Sequence, residues 1–229
     1  AMATYVSNAL GVDLGDVSGG MKELAKLYKK SKRPPITFVT CTDGNHGQAV
    51  SWAAKKLGMV AKVYMPKGSA DARVERVREH GGECTVTELN YDDTVELANA
   101  KAAEHGWTLL QDTTLPGYTE IPSVIMEGYT AMIDEVMEQA SEPPTHVVLQ
   151  MGVGSMAAAV LGYLVERECA GGSSRPKTIV VEPQEAACGF ASAMLGDGSM
   201  ATVEGDLETM VAGLACGGPS DLDWPILSA

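Results

Sequence analysis

Asp43 and Asn45 stand in a loop of unusual composition, Thr40-Cys41-Thr42-Asp43-Gly44-Asn45-His46-Gly47. A carboxylate can take or give a proton, and a carboxamide can hydrogen-bond a polar ligand. The flanking glycines permit a tight turn whose main-chain N–H groups face outward. At the start of a helix such groups suit a carboxylate or a phosphate. A second turn, Gly152-Val153-Gly154-Ser155-Met156-Ala157, offers main-chain amides in the same way, as a phosphate cradle. It also matches a GxGxxA dinucleotide fingerprint, with Glu182 after the next strand in the place of a ribose ligand. A strand–helix turn with no ligand is the third reading of that segment. In the first loop Asp43 could cap the helix, and Asn45 could adopt a left-handed turn conformation. Neither role requires both residues to be set between glycines beside a histidine. His46 reads as a helix-start residue and Cys41 as a buried strand residue.

The elements that must position these loops are legible as short apolar runs alternating with amphipathic stretches. Ile36–Cys41, Lys62–Met65, Cys84–Leu89, Thr108–Gln111, His146–Met151 and Thr178–Val181 are rich in Val, Ile and Leu and mostly lack polar alternation. That pattern predicts strands covered on both faces. Helical spacing marks Lys22–Lys30, His46–Leu57, Ala70–His80, Asp92–His105, Tyr118–Gln139 and Met156–Glu168. Gly58, Gly81-Gly82 and Gly106 stand where three of these helices should stop. Strand–helix–strand alternation predicts an α/β fold, with parallel sheets and helices on both faces. Ligands then bind at the carboxyl ends of the strands, where both glycine turns fall. Pro143-Pro144 marks a candidate domain junction, and the segment after Phe190 carries no strand signal.

Composition narrows the partners. The chain has 229 residues, 45% of them hydrophobic, enough for one large domain or two small ones with a working core. Its 17 basic and 30 acidic residues leave a formal charge of −13, which opposes nucleic acid or an anionic membrane surface as a main partner. No stretch approaches the roughly 20 apolar residues of a membrane span, and residues 1–5 lack the basic and apolar regions of a signal peptide. The five cysteines form no CxxC pair, which argues against structural zinc, so no metal site is expected. The expected compartment is the cytoplasm. Cys188 and Cys216 are the pair for which a disulfide is conceivable.

Thr42-Asp43-Gly44-Asn45-His46-Gly47, continued by Gln48 to Gly58, resembles the asparagine loop and helix of fold-type II pyridoxal-phosphate enzymes. Those enzymes include serine and threonine dehydratases, threonine synthase and cysteine synthase. Relatives commonly carry serine or alanine where Asp43 stands, and the aspartate form resembles the diaminopropionate ammonia-lyase branch. Val63-Tyr64-Met65-Pro66-Lys67-Gly68-Ser69-Ala70, Leu89 to Val95, Gln111-Asp112-Thr113 with Gly117-Tyr118-Thr119, Gly152 to Met156, and Met210 to Gly217 agree with it in order. The resemblance implies a two-domain architecture, with residues 1–118 as the small domain and 119–229 as part of the large one. It implies pyridoxal 5'-phosphate as cofactor, a small amino-acid substrate and a homodimer. The implied reaction forms an aldimine with 2,3-diaminopropionate, removes the Cα proton and eliminates the β-amino group, giving pyruvate and ammonia. Asp43 and Asp112 are the implied acid/base residues, and two carboxylates in one closed site would push one pKa upward. Asn45 would bind the cofactor ring oxygen, and Gly152, Val153, Gly154, Ser155 and Met156 its phosphate. Thr42 and Gly44 would hold the substrate carboxylate. A serine/threonine dehydratase-like lyase and a nucleotide-binding module that uses the second turn are the alternatives.

The family's lysine segment, of the pattern Phe-Lys-x-Leu-Gly-Gly, does not occur here, and neither does its C-terminal portion. The chain therefore reads as the central part of a longer enzyme, incomplete as a fold and inactive by itself.

Overall fold

The computed structural model describes residues 1–171 and 174–229, which form two compact units, Ala1–Asp112 and Thr113–Ala229. The first unit runs α1 (Met2–Leu10), α2 (Gly20–Lys30), β1 (Thr37–Cys41), α3 (Asn45–Leu57), β2 (Val60–Met65), α4 (Asp71–Glu79), β3 (Glu83–Val86), α5 (Tyr91–His105) and β4 (Thr108–Leu109). Its four strands are parallel in the order β3-β2-β1-β4. The central strand β1 is covered on both faces as expected, for Phe38, Val39, Thr40 and Cys41 are all fully buried. Val63 and Met65 of β2 pack against Val74 and Val77 of α4. Gly58 and Gly106 end α3 and α5 in the left-handed conformation, at φ 74° and 66°.

Two strands are shorter than their apolar runs by two residues. β3 ends at Val86: Thr87 N–H still donates to the Met65 carbonyl at 2.8 Å, and the Thr87 hydroxyl then donates to the same carbonyl, bonds Thr94 and accepts from Leu89 N–H, which turns the chain out of the strand. β4 ends at Leu109, and beyond it the Gln111 side chain takes over from the backbone, as described below.

The second unit runs α6 (Glu120–Gln139), β5 (His146–Gln150), α7 (Ser155–Cys169), β6 (Lys177–Val181), α8 (Cys188–Leu195) and α9 (Trp224–Leu227). β5 and β6 pair in parallel over five positions, His146 opposite Lys177 through Gln150 opposite Val181. A core of Ile133, Leu149, Ala157, Val160 and Leu164 joins α6, β5 and α7. The expectation of strands covered on both faces is corrected here. Val148 is 62% exposed, and Ile179, Val180 and Val181 are exposed as well. The apolar run specifies a strand; the layer that covers it is a separate matter of how many elements the unit supplies. No helix among the described residues is long and apolar enough to cross a membrane.

Candidate active site

The first loop leaves β1 at Cys41 and enters α3 at Asn45. Thr42 shapes it from inside: its buried hydroxyl accepts from Gly44 N–H at 2.9 Å and from Gly47 N–H at 3.2 Å. Gly47 is required by close approach, because a Cβ there would lie 2.5 Å from Thr42 Cγ2 and 2.9 Å from Val63 Cγ1. Gly44 sits at φ 156° with Arg73 Cδ packed against it. The main-chain N–H groups of Asp43, Asn45 and His46 meet no acceptor among the described residues, so the head of α3 offers an anion cradle. The Gly44 N–H is already committed to Thr42.

Neither simple role for the polar pair holds. The N-cap of α3 is Gly44 with no side-chain cap, and the Asp43 carboxylate is instead taken by Arg73 of α4. Asn45 is the first helical residue and is not left-handed; its side chain is exposed with no hydrogen bond among the described residues.

The carboxyl end of β4 faces the same loop. Strand order reverses at β1, which lies between β2 and β4, and such a switch point opens a crevice at the strand ends. His46 Nε2 donates to the Leu110 carbonyl at 2.7 Å, so this nitrogen carries a proton, and Nδ1 faces Asp112 Oδ2 at 3.7 Å. Gln111, which sequence reasoning missed as a site residue, is fully buried. Its Oε1 accepts from Cys41 N–H and Thr40 Oγ1, both at 3.0 Å, and its Nε2 donates to Asp112 Oδ1 at 3.2 Å. A carboxamide thus extends the β1–β4 ladder by one rung and aims Asp112. Arg73 was also missed, because nothing local in α4 marks it; the signal for Gln111 was a polar residue closing an apolar run.

In the second unit the glycine turn leaves β5 and enters α7. Gly154 is its N-cap at φ 118°, a backbone that favours glycine. A Cβ on Gly152 would lie 3.0 Å from Cys216 Sγ and 3.3 Å from the Gly213 carbonyl, and one on Gly154 would lie 3.0 Å from Leu227 Cδ1. The carbonyls are turned inward: Val153 accepts from Ser220 N–H at 3.0 Å and Gly152 from Cys188 Sγ at 3.5 Å. The N–H groups from Gly152 to Ala157 have no acceptor among the described residues. That donor set fits a phosphate. Ser155 contributes its main-chain N–H, for its hydroxyl donates to Asp223 Oδ2 at 2.7 Å. The Met156 side chain packs in the α6–α7 core, which leaves its N–H for the turn.

Glu182 is occupied elsewhere. Its two carboxylate oxygens accept from Gly189 and Phe190 N–H, each at 2.8 Å, and so open α8. Both oxygens are engaged in capping α8, so a structural role accounts for Glu182 without a ribose and the dinucleotide fingerprint loses its distinguishing residue. Cys188 carries an unbridged thiol, pushed up to about 12 by burial and then by Glu182 and Cys216. Among the described residues no group of three or more His, Cys, Asp or Glu side chains is arranged to hold a metal.

The family model described as pyridoxal-phosphate dependent enzyme matches residues 18–229. The chain is 47% identical to the diaminopropionate ammonia-lyase of Salmonella typhimurium over 231 residues, covering 99% of this chain and 56% of that protein. It is 51% identical over 195 residues to the enzyme of that name from Escherichia coli K12, covering 84% of this chain and 48% of that one. The crystal structure of the holo diaminopropionate ammonia lyase from Escherichia coli superposes with a TM-score of 0.85 at 43% identity, covering 99% of this chain and 55% of that one. The chain spans about half the length of the curated relatives it matches.

Proposed function

This chain belongs to the pyridoxal-phosphate dependent enzymes, and from that membership we propose that it is the cofactor-cradling segment of an ammonia-lyase that converts 2,3-diaminopropionate to pyruvate and ammonia. The family's cofactor, pyridoxal phosphate, supplies an electron sink for the charge left on the substrate Cα. Everything else falls to the chain's own residues. The N–H groups from Gly152 to Met156 would hold the cofactor's phosphate, and the exposed Asn45 carboxamide would bond its ring oxygen. The free N–H groups of Asp43, Asn45 and His46, beside Thr42 and Gly44, would take the substrate carboxylate. Asp43 accepts the Cα proton, in the direction its Arg73 partner sets. Asp112, aimed by Gln111 and faced by His46 Nδ1, gives a proton to the leaving β-amine. In this reading residues 1–118 serve as the small domain and 119–229 as part of the large one, within a cytoplasmic homodimer.

The observation that carries the proposal is the pairing of Asp43 with Arg73 at the edge of a cradle of free N–H groups on α3. A proton acceptor beside an anion site is what proton removal from an amino acid requires. The test is a chimera in which this chain replaces the matched segment of the Escherichia coli enzyme. We expect pyruvate from 2,3-diaminopropionate in preference to serine, and none from this chain alone. A chimera that binds its cofactor and prefers serine or threonine would contradict the substrate, and turnover by the chain alone would contradict its role as a segment.

A further inference from the structure

Asp223 is fully buried and its environment is one-sided. Oδ2 accepts from the Ser155 hydroxyl at 2.7 Å, whereas Oδ1 is enclosed with no hydrogen-bond partner. Its Cβ lies 3.1 Å from where a Cβ on Gly154 would stand, so the carboxyl sits at the head of α7 against the glycine turn. The loop that carries it is fixed there, because Ser220 N–H donates to the Val153 carbonyl. The polar groups that face it are the Ser155 hydroxyl from α7 and the Ser220 hydroxyl from its own loop. From the turn it meets Gly154, and Met151 and Leu227 close the same space with apolar atoms. No cation among the described residues forms an ion pair with it.

A buried charge without a counter-charge is costly, and an enclosed acceptor without a donor adds to the cost. A phosphate at the same helix head makes the ionised carboxylate worse still, since two anions would share one cradle. A proton on Oδ1 removes the charge and turns that oxygen into a donor, for which the facing Ser220 hydroxyl is an acceptor. We propose that Asp223 is a binding-linked acid of the glycine turn, neutral whenever a phosphate group occupies the turn, so that phosphate binding is coupled to proton uptake at this carboxyl. The inference rests on the reading of Gly152–Met156 as a phosphate cradle and adds the residue that sets its pH range. Burial pushes the Asp223 carboxyl above the usual carboxylate range, and the hydroxyls of Ser155 and Ser220 pull it partly back. Phosphate affinity is therefore fullest below the carboxyl's titration point and falls as pH rises through it.

The full 229-residue chain is titrated with inorganic phosphate, following the amide resonances of residues 152–156 and the carboxyl carbon of Asp223. The expected result is that phosphate moves the amides and drives the Asp223 carbon toward its protonated position at fixed pH. D223N should bind phosphate about tenfold or more tightly than the parent chain at pH 8, each unit of pKa shift being tenfold, and the gap should narrow as pH falls. S155A removes a donor to the carboxylate and should extend binding to higher pH. Amides that move while the Asp223 carbon stays still, or a D223N chain no tighter at pH 8, would overturn the inference and leave the cradle standing. Amides that do not move would overturn both.

Discussion

Arg73 Nη1 donates to the main-chain carbonyl of Asp43 at 3.1 Å and to its carboxylate, while the same side chain packs over Gly44. One residue of α4 therefore fixes both the backbone and the carboxylate of the proposed proton acceptor. The two side chains are 41% and 27% exposed, so solvent screens the pair and its share of stability is small. In the chimera, Arg73→Ala should lower kcat by roughly tenfold or more, through misplacement of the base, with Arg73→Lys intermediate. The unfolding midpoint should barely change. An equal loss of stability and activity would assign Arg73 to the fold instead.

Gln111→Leu removes the acceptor that serves Cys41 N–H and Thr40 Oγ1 in the sheet interior. Buried donors left unsatisfied cost about 1–3 kcal/mol, so the urea midpoint should fall by that equivalent. An unchanged midpoint would show that water or another side chain replaces the carboxamide.

Gly47→Ala should destabilise by about 1–3 kcal/mol, as overpacking does. The added methyl would meet Thr42 Cγ2 at 2.5 Å and Val63 Cγ1 at 2.9 Å, both in the packed interior. Gly68→Ala is a useful contrast, for nothing lies within 4 Å of its Cβ position and its cost comes from φ +83° alone. Urea unfolding of the two variants separates contact from backbone strain, and equal costs would refute the contact.

Burial first, then Glu182 and Cys216, push the Cys188 thiol from 9.0 up to about 12. The folded state therefore holds the proton more tightly than the unfolded state. Stability should be unaffected below about pH 9, and should decline between 9 and about 12, as the unfolded chain gains thiolate that the folded chain resists. Cys188→Ala should flatten that decline in a pH series of urea midpoints. Iodoacetamide at pH 8 should modify the exposed Cys169 and spare Cys188. Alkylation of Cys188 at the rate of Cys169 would contradict the burial argument.

Much of the scaffold was legible because its signals are local. The run Ile36–Cys41 became β1 within one residue, and Gly58 and Gly106 ended their helices in the conformation their type favours. α8 gave no local start signal, since its N-terminal amides are satisfied by Glu182 from before the helix. α1 has no side-chain cap, no acidic first turn and no basic last turn, so only Gly11 at its end marks it. The glycine turns were legible as backbone shapes, and the residues that aim their side chains were not. Arg73 reaches Asp43 across 30 positions and His46 faces Asp112 across 66, distances that periodicity does not encode. The exposed faces of β5 and β6 have the same origin: an apolar run reports a strand's preference for burial and leaves its partner unspecified.

The most direct test of Asp43 as proton acceptor is the rate of pyruvate release from 2,3-diaminopropionate by the chimera and its Asp43→Asn form, with bound pyridoxal phosphate measured in both. Asparagine keeps the shape and a partner for Arg73 but takes no proton. Equal cofactor content and a rate lower by about 100-fold or more, the usual contribution of a general base, are expected. A rate within a few fold of the parent, at equal cofactor content, would contradict that role.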